Sequence, residues 1–582
     1  MMRWVGKRVD SGLRAAAMTL VVLCSSSQAQ PPAPAAPSFV PGEILIKFKP
    51  GTTTEGASSV ISTFGLQPVQ LFPELDVHRC RLPEGTDVEA ALRACKGDAT
   101  IAYAEPNYIY TASRLPNDPR FAELWGLQND DDFDIDAPEA WEAQTGLPEV
   151  LVAIIDTGVD YNHEDLRANA WRNPGEIGNG RETNRTDDDS NGFVDDVFGW
   201  DFAGKDNDPM DDNGHGSHVA GTIAAAGNNG VGVVGVNWRT SIMALKFLSA
   251  NGSGNAADAI DCILYAARNG ARVLNNSWGG GGFSQALRDA IEFSRTRNAV
   301  FVAAAGNEGR DNDRSPSYPA SYDVDNVMSI AACDREGQLA TFSNFGRTSV
   351  DLAAPGVDIL STTPGNTYSA FSGTSMATPH ASGVAALVIA HFPQSTYRQV
   401  MIRLAGSVDP AAPFEDTTWN GGRLNAAAAL SAAPQVAFVT RAEASVNPEG
   451  PYRIDAEAID DGSIQSVRLS YAVGGGSPTA VEMQSVAENA YRAEIPGQPA
   501  GSQVSYFVDV ADDAGNTARS RTYRFQVGGN AGAPGCSPIS LPSTMSAQAR
   551  VLSVLVNVLL ILLAVQGARK LIAKRSNSAT KL

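Results

Sequence analysis

Short, nearly continuous apolar runs alternate with helical stretches between residues 116 and 432. Apolar runs of this kind are typical of strands buried on both faces, and the longer amphipathic stretches are typical of covering helices. The pattern predicts an α/β domain with a mostly parallel sheet and helices on both faces, whose active site lies at the carboxyl ends of the strands. Strands are predicted over residues 150–155, 242–247, 273–276 and 300–305, and helices over residues 256–268 and 284–295.

A different pattern precedes this domain, within residues 38–112. Apolar residues over 43–48, 77–82 and 101–103 predict strands, and residues 87–95 predict a short helix. Together they indicate a small α+β unit. Residues 31–37 before it are a Pro/Ala linker without core-forming content.

A third pattern covers residues 434–528. Apolar and polar residues alternate over 467–471 and, less strictly, over 504–508, and turn signals stand at residues 461–462 and 513–516. This favours a small β-sandwich of the immunoglobulin or fibronectin type. Such a fold does not by itself identify a ligand.

Both ends of the chain carry targeting signals. Residues 1–29 predict a signal peptide, because a basic flank precedes a short apolar run and small residues stand before Gln30. Cys24 leaves a lipoprotein signal open as an alternative, although Leu23 before it fits that signal poorly. At the other end, residues 529–548 read as a linker. Residues 549–568 then predict a transmembrane helix or a sorting segment, and a basic tail follows over residues 569–582.

Composition narrows the choice of partners. The chain has 582 residues and a net charge of −20, which argues against a nucleic-acid backbone as the partner. Clustered carboxylates instead favour hard cations such as calcium, and simple solubility is the alternative reading of the acidity. The six cysteines are too few for a disulfide scaffold, although Cys80 and Cys95 could pair.

Three motifs carry the chemistry of the central domain. Asp156 opens the run DTGVD directly after a predicted buried strand, His215 opens HGSHVAG, and Ser375 stands in GTSMATPH. A serine hydroxyl needs an adjacent base to act as a nucleophile, and imidazole can take and return its proton near neutral pH. A carboxylate fixes the imidazole tautomer and stabilises the imidazolium. Gly373 permits a sharp turn before the serine, and a helix that begins behind Ser375 favours developing negative charge.

In the order Asp, His, Ser, these motifs resemble those of the subtilisin-like serine peptidases, the subtilases. The resemblance extends over residues 116–432 and includes the closing run GRLNA at 422–426. It implies that Asp156 orients His215, that His215 is the general base and acid, and that Ser375 attacks. The function implied is a secreted serine endopeptidase that cleaves protein or peptide substrates through an acyl-enzyme. His218 and His380, inside the same motifs, are read as structural.

The resemblance also assigns an oxyanion hole and a substrate edge. Asn307, in the run AAGNEG, matches the family's side-chain donor, and the Ser375 amide is the second donor. Asn276 is a rival because it also ends a strand. Extended substrate would pair with one edge of the site, and the walls of the first pocket are expected to be Ser277, Trp278, Gly279, Ala304, Ala305 and Gly306. No acidic residue is evident at these positions, so apolar or aromatic substrate side chains are expected.

Two calcium sites are predicted. An acidic insertion between Asp156 and His215 places oxygen side chains at alternate positions, with a glycine at the bend, and the ligands expected there are Asp187, Asp189, Asn191 and Asp195. A calcium loop different in shape from a helix-loop-helix site is expected, because Phe198 stands at its twelfth position; a solvated acidic loop is the alternative. The second site follows from the resemblance alone, which implies Asp118, Asp165 and Asn229 as ligands.

The segment 38–112 resembles the inhibitory propeptides of the same family. The resemblance implies a folding chaperone and temporary inhibitor that the enzyme cuts from itself. An independent binding module is the alternative for this segment, and a surface binding protein with a degenerate protease domain is the alternative for the whole chain. The expected location is outside the cell or at its surface after bacterial-type export, with a membrane anchor if the C-terminal segment is retained.

Overall fold

The protein is described from a computed structural model, which covers residues 39–108 except 84 and 97, residues 115–442 and residues 448–528. The predicted signal peptide, the linker at 529–548, the apolar segment at 549–568 and the basic tail lie outside these residues. Within the described part, no helix is both long and apolar enough to cross a membrane. The chain divides into two compact units, residues 1–114 and 115–582.

The first unit is an antiparallel sheet covered by two helices. Its strand order is β2-β3-β1-β4, and its core includes the thiols of Cys80 and Cys95, both free and fully buried. The structure confirms the predicted α+β character and adds a helix and a strand that periodicity did not reveal. The elements are β1 (Phe39–Phe48), α1 (Thr54–Thr63), β2 (Gln67–Phe72), β3 (Val77–Arg81), α2 (Val88–Lys96) and β4 (Ile101–Tyr108).

The second unit begins with the predicted α/β layers. Its elements up to residue 442 are α3 (Ala137–Ala143), β5 (Leu151–Asp156), β6 (Gly199–Asp201), α4 (His215–Ala224), β7 (Ser241–Lys246), α5 (Ala256–Arg268), β8 (Val273–Asn276), α6 (Gln285–Thr296), β9 (Val300–Ala304), β10 (Val327–Cys333), β11 (Leu352–Pro355), β12 (Ile359–Thr363), β13 (Thr367–Phe371), α7 (Thr374–His391), α8 (Tyr397–Gly406), β14 (Asp409–Pro410), β15 (Gly422–Arg423), α9 (Ala426–Ala429) and β16 (Gln435–Ala437).

The main sheet of these described residues has the strand order β14-β15-β11-β10-β9-β8-β5-β7-β6. All its neighbouring pairs are parallel except β14 with β15. After β5 the chain builds β6 and β7 on one side and then crosses to β8 on the other. A crevice is expected where the order reverses in this way, at the carboxyl ends of β5 and β8.

Helices cover both faces of the sheet, as predicted. Along β5, Val152 and Ile154 face one core cluster, whereas Ala153 and Ile155 face another. Side chains alternate between faces along a strand, so an apolar run without polar interruption can fill two cores at once. Helices α4 and α7 pack in the first cluster, and α5 and α6 pack in the second.

The predicted β-sandwich forms the rest of the second unit. Two antiparallel sheets, ordered β16-β17-β21-β20 and β19-β18-β22-β23 with β24 beside β22, enclose a third core. The sandwich contacts the α/β layers directly, since the Arg398 guanidinium on α8 donates to Glu457 at 2.7 and 2.6 Å. Its further strands are β17 (Tyr452–Ile459), β18 (Ile464–Val473), β19 (Thr479–Glu482), β20 (Gln484–Ala487), β21 (Ala490–Ile495), β22 (Gln503–Asp512), β23 (Thr517–Arg519) and β24 (Tyr523–Gln526).

Candidate active site

The ends of regular elements bring two of the predicted catalytic residues together. Asp156 is the last residue of β5, and His215 is the first residue of α4. The His215 Nδ1 lies 2.7 Å from Oδ1 of Asp156. The Thr157 amide donates to the same carboxylate oxygen at 2.7 Å, so the carboxylate is oriented from two sides. This geometry leaves Nε2 of His215 as the free base.

The pKa of His215 reflects two opposing effects. Burial is the largest single influence and lowers it, since the charged imidazolium loses solvation. The charge and hydrogen bond of Asp156, together with the charge of Asp211, outweigh burial, and the pKa is raised above its usual value. The imidazole is therefore a stronger base than a free histidine.

Ser375 occupies the second position of α7, two residues after the N-cap residue Gly373, whose backbone is extended rather than sharply turned. Its hydroxyl donates to the Ser277 carbonyl at 3.0 Å, and the Ser277 hydroxyl donates to the Ser375 carbonyl at 2.9 Å. Among the described residues, no hydrogen bond joins the Ser375 hydroxyl to His215. Ligand-free active sites commonly lack this bond and form it in the substrate complex.

The structure fixes the amide of Asn307 in one orientation. Its Oδ1 accepts hydrogen bonds from the Thr374 amide at 2.8 Å and the Thr374 hydroxyl at 2.9 Å. The Nδ2 group therefore faces away from Thr374, and it lies beside Gly373, two residues before Ser375. The rival, Asn276, is fully buried, and its Nδ2 donates to the Leu274 carbonyl at 2.9 Å. Asn307 is thus the better placed amide of the two.

A cleft of about 570 Å³ begins at His215 and continues along the predicted substrate edge. Ser277, Trp278 and Gly279 line it, together with residues that the sequence did not single out. The apolar ones come from β7, α5 and α6 or their flanking loops: Phe247, Leu248, Ala256, Ala259 and Leu287. Glycines and polar residues, among them Asn213, Ser253, Asn255 and Tyr318, line the rest. A cleft of this size with a mixed lining suits an extended peptide.

The other predicted wall is placed differently. Ala305 is completely buried in a small core with Cys333 and Phe414, and Ala304 is also buried. Only Gly306 of these three is partly exposed. None of the three lines the cleft described above. The sequence located this segment beside Asn307, but it could not show that two of its side chains face the protein interior.

His218 and His380 are buried, as expected for structural residues. The His218 ring stacks on Phe371, and its Nε2 lies 2.8 Å from the Ile359 carbonyl. Nδ1 of His380 lies 2.9 Å from the Met376 carbonyl. Burial lowers the pKa of each to about 4, so both rings are neutral at physiological pH.

The acidic insertion forms a cluster whose composition differs from the prediction. Glu176, Asp187 and Asp189 each offer an oxygen within 4.8 Å of the others. Glu176 is 0% exposed, and its Oε2 has no hydrogen-bond partner among the described residues. A buried carboxylate oxygen without a partner is costly, and carboxylate oxygens are what calcium selects. The donor set therefore fits a hard cation.

Asp195, which was predicted as a ligand, is not part of that group. Both of its carboxylate oxygens accept the Arg185 amide, at 3.1 and 3.0 Å. Asn191 supports the cluster, because its Nδ2 donates to Asp189 at 3.2 Å and to the buried Asp196 at 2.8 Å. The sequence missed Glu176 because it stands eleven residues before Asp187 and outside the alternating run.

The residues of the second predicted calcium site also come together. The Asn228 amide donates to Asp118 at 2.7 Å, and Asn229 Nδ2 donates to Asp165 at 2.8 Å. Burial, with a smaller contribution from the charge of Asp118, raises the pKa of Asp165 to about 6. Two buried carboxylates that repel one another favour a cation between them.

Comparison with known proteins identifies the family of the chain. The profile of the subtilase family matches residues 148–421, and that of the fervidolysin N-terminal prodomain matches residues 26–107. The thermophilic serine proteinase of Bacillus sp. (strain AK1) is 38% identical over 60% of this chain and 78% of its own length. Thermitase of Thermoactinomyces vulgaris is 37% identical over 53% of this chain and 97% of its own length. A solved structure of proteases from Pseudoalteromonas arctica PAMC 21717 is 31% identical over 54% of this chain and 98% of its own, with a TM-score of 0.45. The chain belongs to the subtilase family of serine endopeptidases and carries a fervidolysin-like prodomain.

Proposed function

We propose that peptide-bond hydrolysis by this chain uses Ser375 as nucleophile, His215 as general base and acid, and Asp156 as the orienting carboxylate. The observation that carries the proposal is the 2.7 Å contact between His215 Nδ1 and Asp156, which leaves Nε2 free to take the serine proton. The Ser375 oxygen attacks the scissile carbonyl carbon as its proton moves to Nε2. The imidazolium then protonates the leaving amine, and water releases the acyl group by the reverse sequence.

The oxyanion that forms in the first step needs fixed donors. We propose Nδ2 of Asn307 and the Ser375 amide for this role. The two bonds from Thr374 to Asn307 Oδ1 support it, because they determine which end of the Asn307 amide is available. The apolar side chains of Phe247, Leu248 and Leu287 in the cleft that Trp278 lines support a preference for apolar or aromatic substrate side chains.

A covalent probe tests the nucleophile. A fluorophosphonate should label the mature protein at Ser375, and Ser375→Ala should abolish both labelling and hydrolysis. Ser372→Ala is the matched control, since Ser372 lies three residues earlier on the same loop, is exposed, and bonds only to Asp358. Labelling that persists in Ser375→Ala would reject the proposed nucleophile.

We propose further that the prodomain is an inhibitor and folding aid which the enzyme removes from itself. The match of a prodomain profile directly before the protease domain supports this role. Ser375→Ala should accumulate as the uncut precursor. Complete processing of this variant in a pure preparation would contradict self-cleavage.

Calcium binding is proposed for both acidic sites, with Glu176, Asp187 and Asp189 as carboxylate ligands of the first. Asp118, Asp165 and Asn229 are proposed for the second. The unpartnered Oε2 of Glu176 supports the first site, and the raised pKa of Asp165 supports the second. Bound calcium would stabilise the folded chain by mass action.

Export, and anchoring through the C-terminal segment, are proposed from the sequence, since both segments lie outside the described residues. Two intact masses test them, that of the native mature protein for the C-terminal segment and that of the uncut Ser375→Ala precursor for the signal peptide. A precursor that begins far upstream of residue 30 would argue against the signal peptide, and a mature protein without residues 549–582 would argue against a permanent anchor.

A further inference from the structure

The first turn of α4 is held by side chains from outside the helix. The first amides of a helix have no partner within it, and the N-cap position here is Gly214, which has no side chain to supply one. The Gly216 amide donates to the Thr157 hydroxyl at 2.9 Å, and the Ser217 amide donates to Oδ2 of Asp211 at 2.8 Å. Two separate segments therefore cap the helix that begins with His215.

Asp211 is the centre of this arrangement. It is 4% exposed, and Oδ1 accepts the Thr157 hydroxyl at 2.9 Å and the amides of Asn213 and Gly214 at 3.0 and 2.9 Å. With the Ser217 amide on Oδ2, four donors converge on one carboxylate. Only an ionised carboxylate accepts at both oxygens without donating.

Thr157 connects this carboxylate to Asp156. Its amide donates to Asp156 Oδ1, whereas its hydroxyl joins Asp211 to α4. The Thr157 carbonyl is held in turn by the buried ammonium of Lys246 at 2.8 Å. The end of β5 and the start of α4 are thus fixed to one another, and the distance between Asp156 and His215 depends on both.

We propose that Asp211 is a positioning residue for the hydrolytic reaction, which holds His215 against Asp156 through Thr157 and supplies a second negative charge beside the imidazole. The proposal rests on the proposed roles of Asp156 and His215. Among the described residues, the ionisable groups that act on His215 are Asp156 at the end of β5 and Asp211 before α4, while His218 lies one turn further along α4. His218 is neutral, and the buried ammonium of Lys246, at the end of β7, lies against the Thr157 carbonyl and is paired with Asp212. The two carboxylates are the charged groups that raise the pKa of His215.

The experiment distinguishes the charge of Asp211 from its role in positioning His215. It measures the pH dependence of kcat/KM on a peptide substrate with matured full-length enzyme. Asp211→Asn removes the charge and places an amide N–H against the Ser217 N–H. We expect kcat to fall by about 10²-fold through misplacement of His215, and the acidic limb of the profile to move to lower pH. Thr157→Val should lower kcat without moving that limb, and Thr157→Ser should restore kcat.

Asp289→Asn is the matched control. It removes the same charge from α6, outside the network around Thr157, where Asp289 is exposed and accepts a hydrogen bond from the Gln285 side chain at 2.8 Å. It should leave kcat and the acidic limb close to wild type. If Asp211→Asn proves too unstable to isolate, the contrast between Thr157→Val and Thr157→Ser still tests the positioning role.

Two results would overturn the proposal. One is an Asp211→Asn enzyme that loses thermal stability but keeps the wild-type kcat and acidic limb. The other is a Thr157→Val enzyme with unchanged kcat. His215→Ala in the same assay distinguishes a failure of the underlying function, since activity that survived this change would reject the triad whatever the Asp211 variants did.

Discussion

The catalytic centre and the acidic loop at residues 187–196 both depend on carboxylates, but they are built differently. Asp156 and His215 stand at the end of a strand and the start of a helix, and the Asp156 oxygen that faces His215 also accepts the Thr157 amide. The acidic loop folds against Glu176, whose inner oxygen has no partner among the described residues. Each site keeps one buried carboxylate oxygen without a partner among the described residues, Oδ2 of Asp156 and Oε2 of Glu176. The difference is that regular elements position the first site, whereas loops position the second.

This difference explains why the motifs predicted that Asp156 and His215 meet, whereas the alternating acidic run did not predict that Glu176 joins the acidic cluster. Regular elements fix the direction of the residues at their ends, so residue type and order are enough to predict which side chains meet. Where one loop packs on another, residue type and order do not predict which side chains meet. Gly175 is an example of a contact between loops that depends on one residue. A Cβ at this position would lie 2.4 Å from Asp189, so the two segments can approach this closely only because residue 175 is a glycine.

The largest effect is expected at the catalytic centre, from loss of the Asp156 carboxylate that is proposed to orient His215. Asp156→Asn should lower kcat by about 10⁴-fold, because the imidazole then lacks its tautomer partner. Catalysis needs the neutral imidazole, so activity rises with pH through the pKa of His215, which Asp156 raises. Residual activity should therefore rise at lower pH than in the wild type. The pH profile of kcat/KM for Asp156→Asn measures this shift. If the acidic limb of the profile stayed at its wild-type position, Asp156 would not act on His215.

The oxyanion donor should give the next largest effect. Asn307→Ala should lower kcat by roughly 10²–10³-fold with little change in KM, since the donor acts on charge that develops in the transition state. Thr374→Val sharpens the test by removing one of the two bonds that orient Asn307, and a smaller loss is expected. Steady-state kinetics would contradict the assignment if Asn307→Ala raised KM alone.

The acidic loop should affect stability rather than turnover. With free calcium at about 100 times its Kd, binding contributes about 2.7 kcal/mol, which corresponds to a rise in Tm of roughly 3–4 °C for a unit of more than 300 residues. Glu176→Gln should remove most of this increment. Thermal unfolding of a Ser375→Ala background with calcium and with chelator measures it without autolysis.

Asp195→Asn is the control for that experiment, since its carboxylate accepts an amide of the loop and is not in the cluster. It should retain the calcium-dependent increment, although its baseline Tm can fall. If Glu176→Gln kept the increment and Asp195→Asn lost it, the original ligand assignment would be restored.

Several features of the fold followed from the sequence alone. Strands β5, β8 and β9 and helix α5 lie within one residue of the predicted bounds, because uninterrupted apolar runs and amphipathic repeats reflect burial directly. The prodomain elements α1 and β2 were missed. The exposed pattern of β2, with Val69 and Leu71 at 42% and 49% exposure, carries no such signal.

The sequence by itself determined the family, because local motifs at the ends of strands and helices specify it, and the same motifs predict the triad residues and Asn307. Tertiary structure decided which oxygens are left without partners, which alanines of the predicted pocket wall are buried, and that Asp211 and Thr157 secure the helix of His215. These properties depend on distances between segments far apart in the chain. Such distances arise only when the sheet, its two covering layers and the loops pack together.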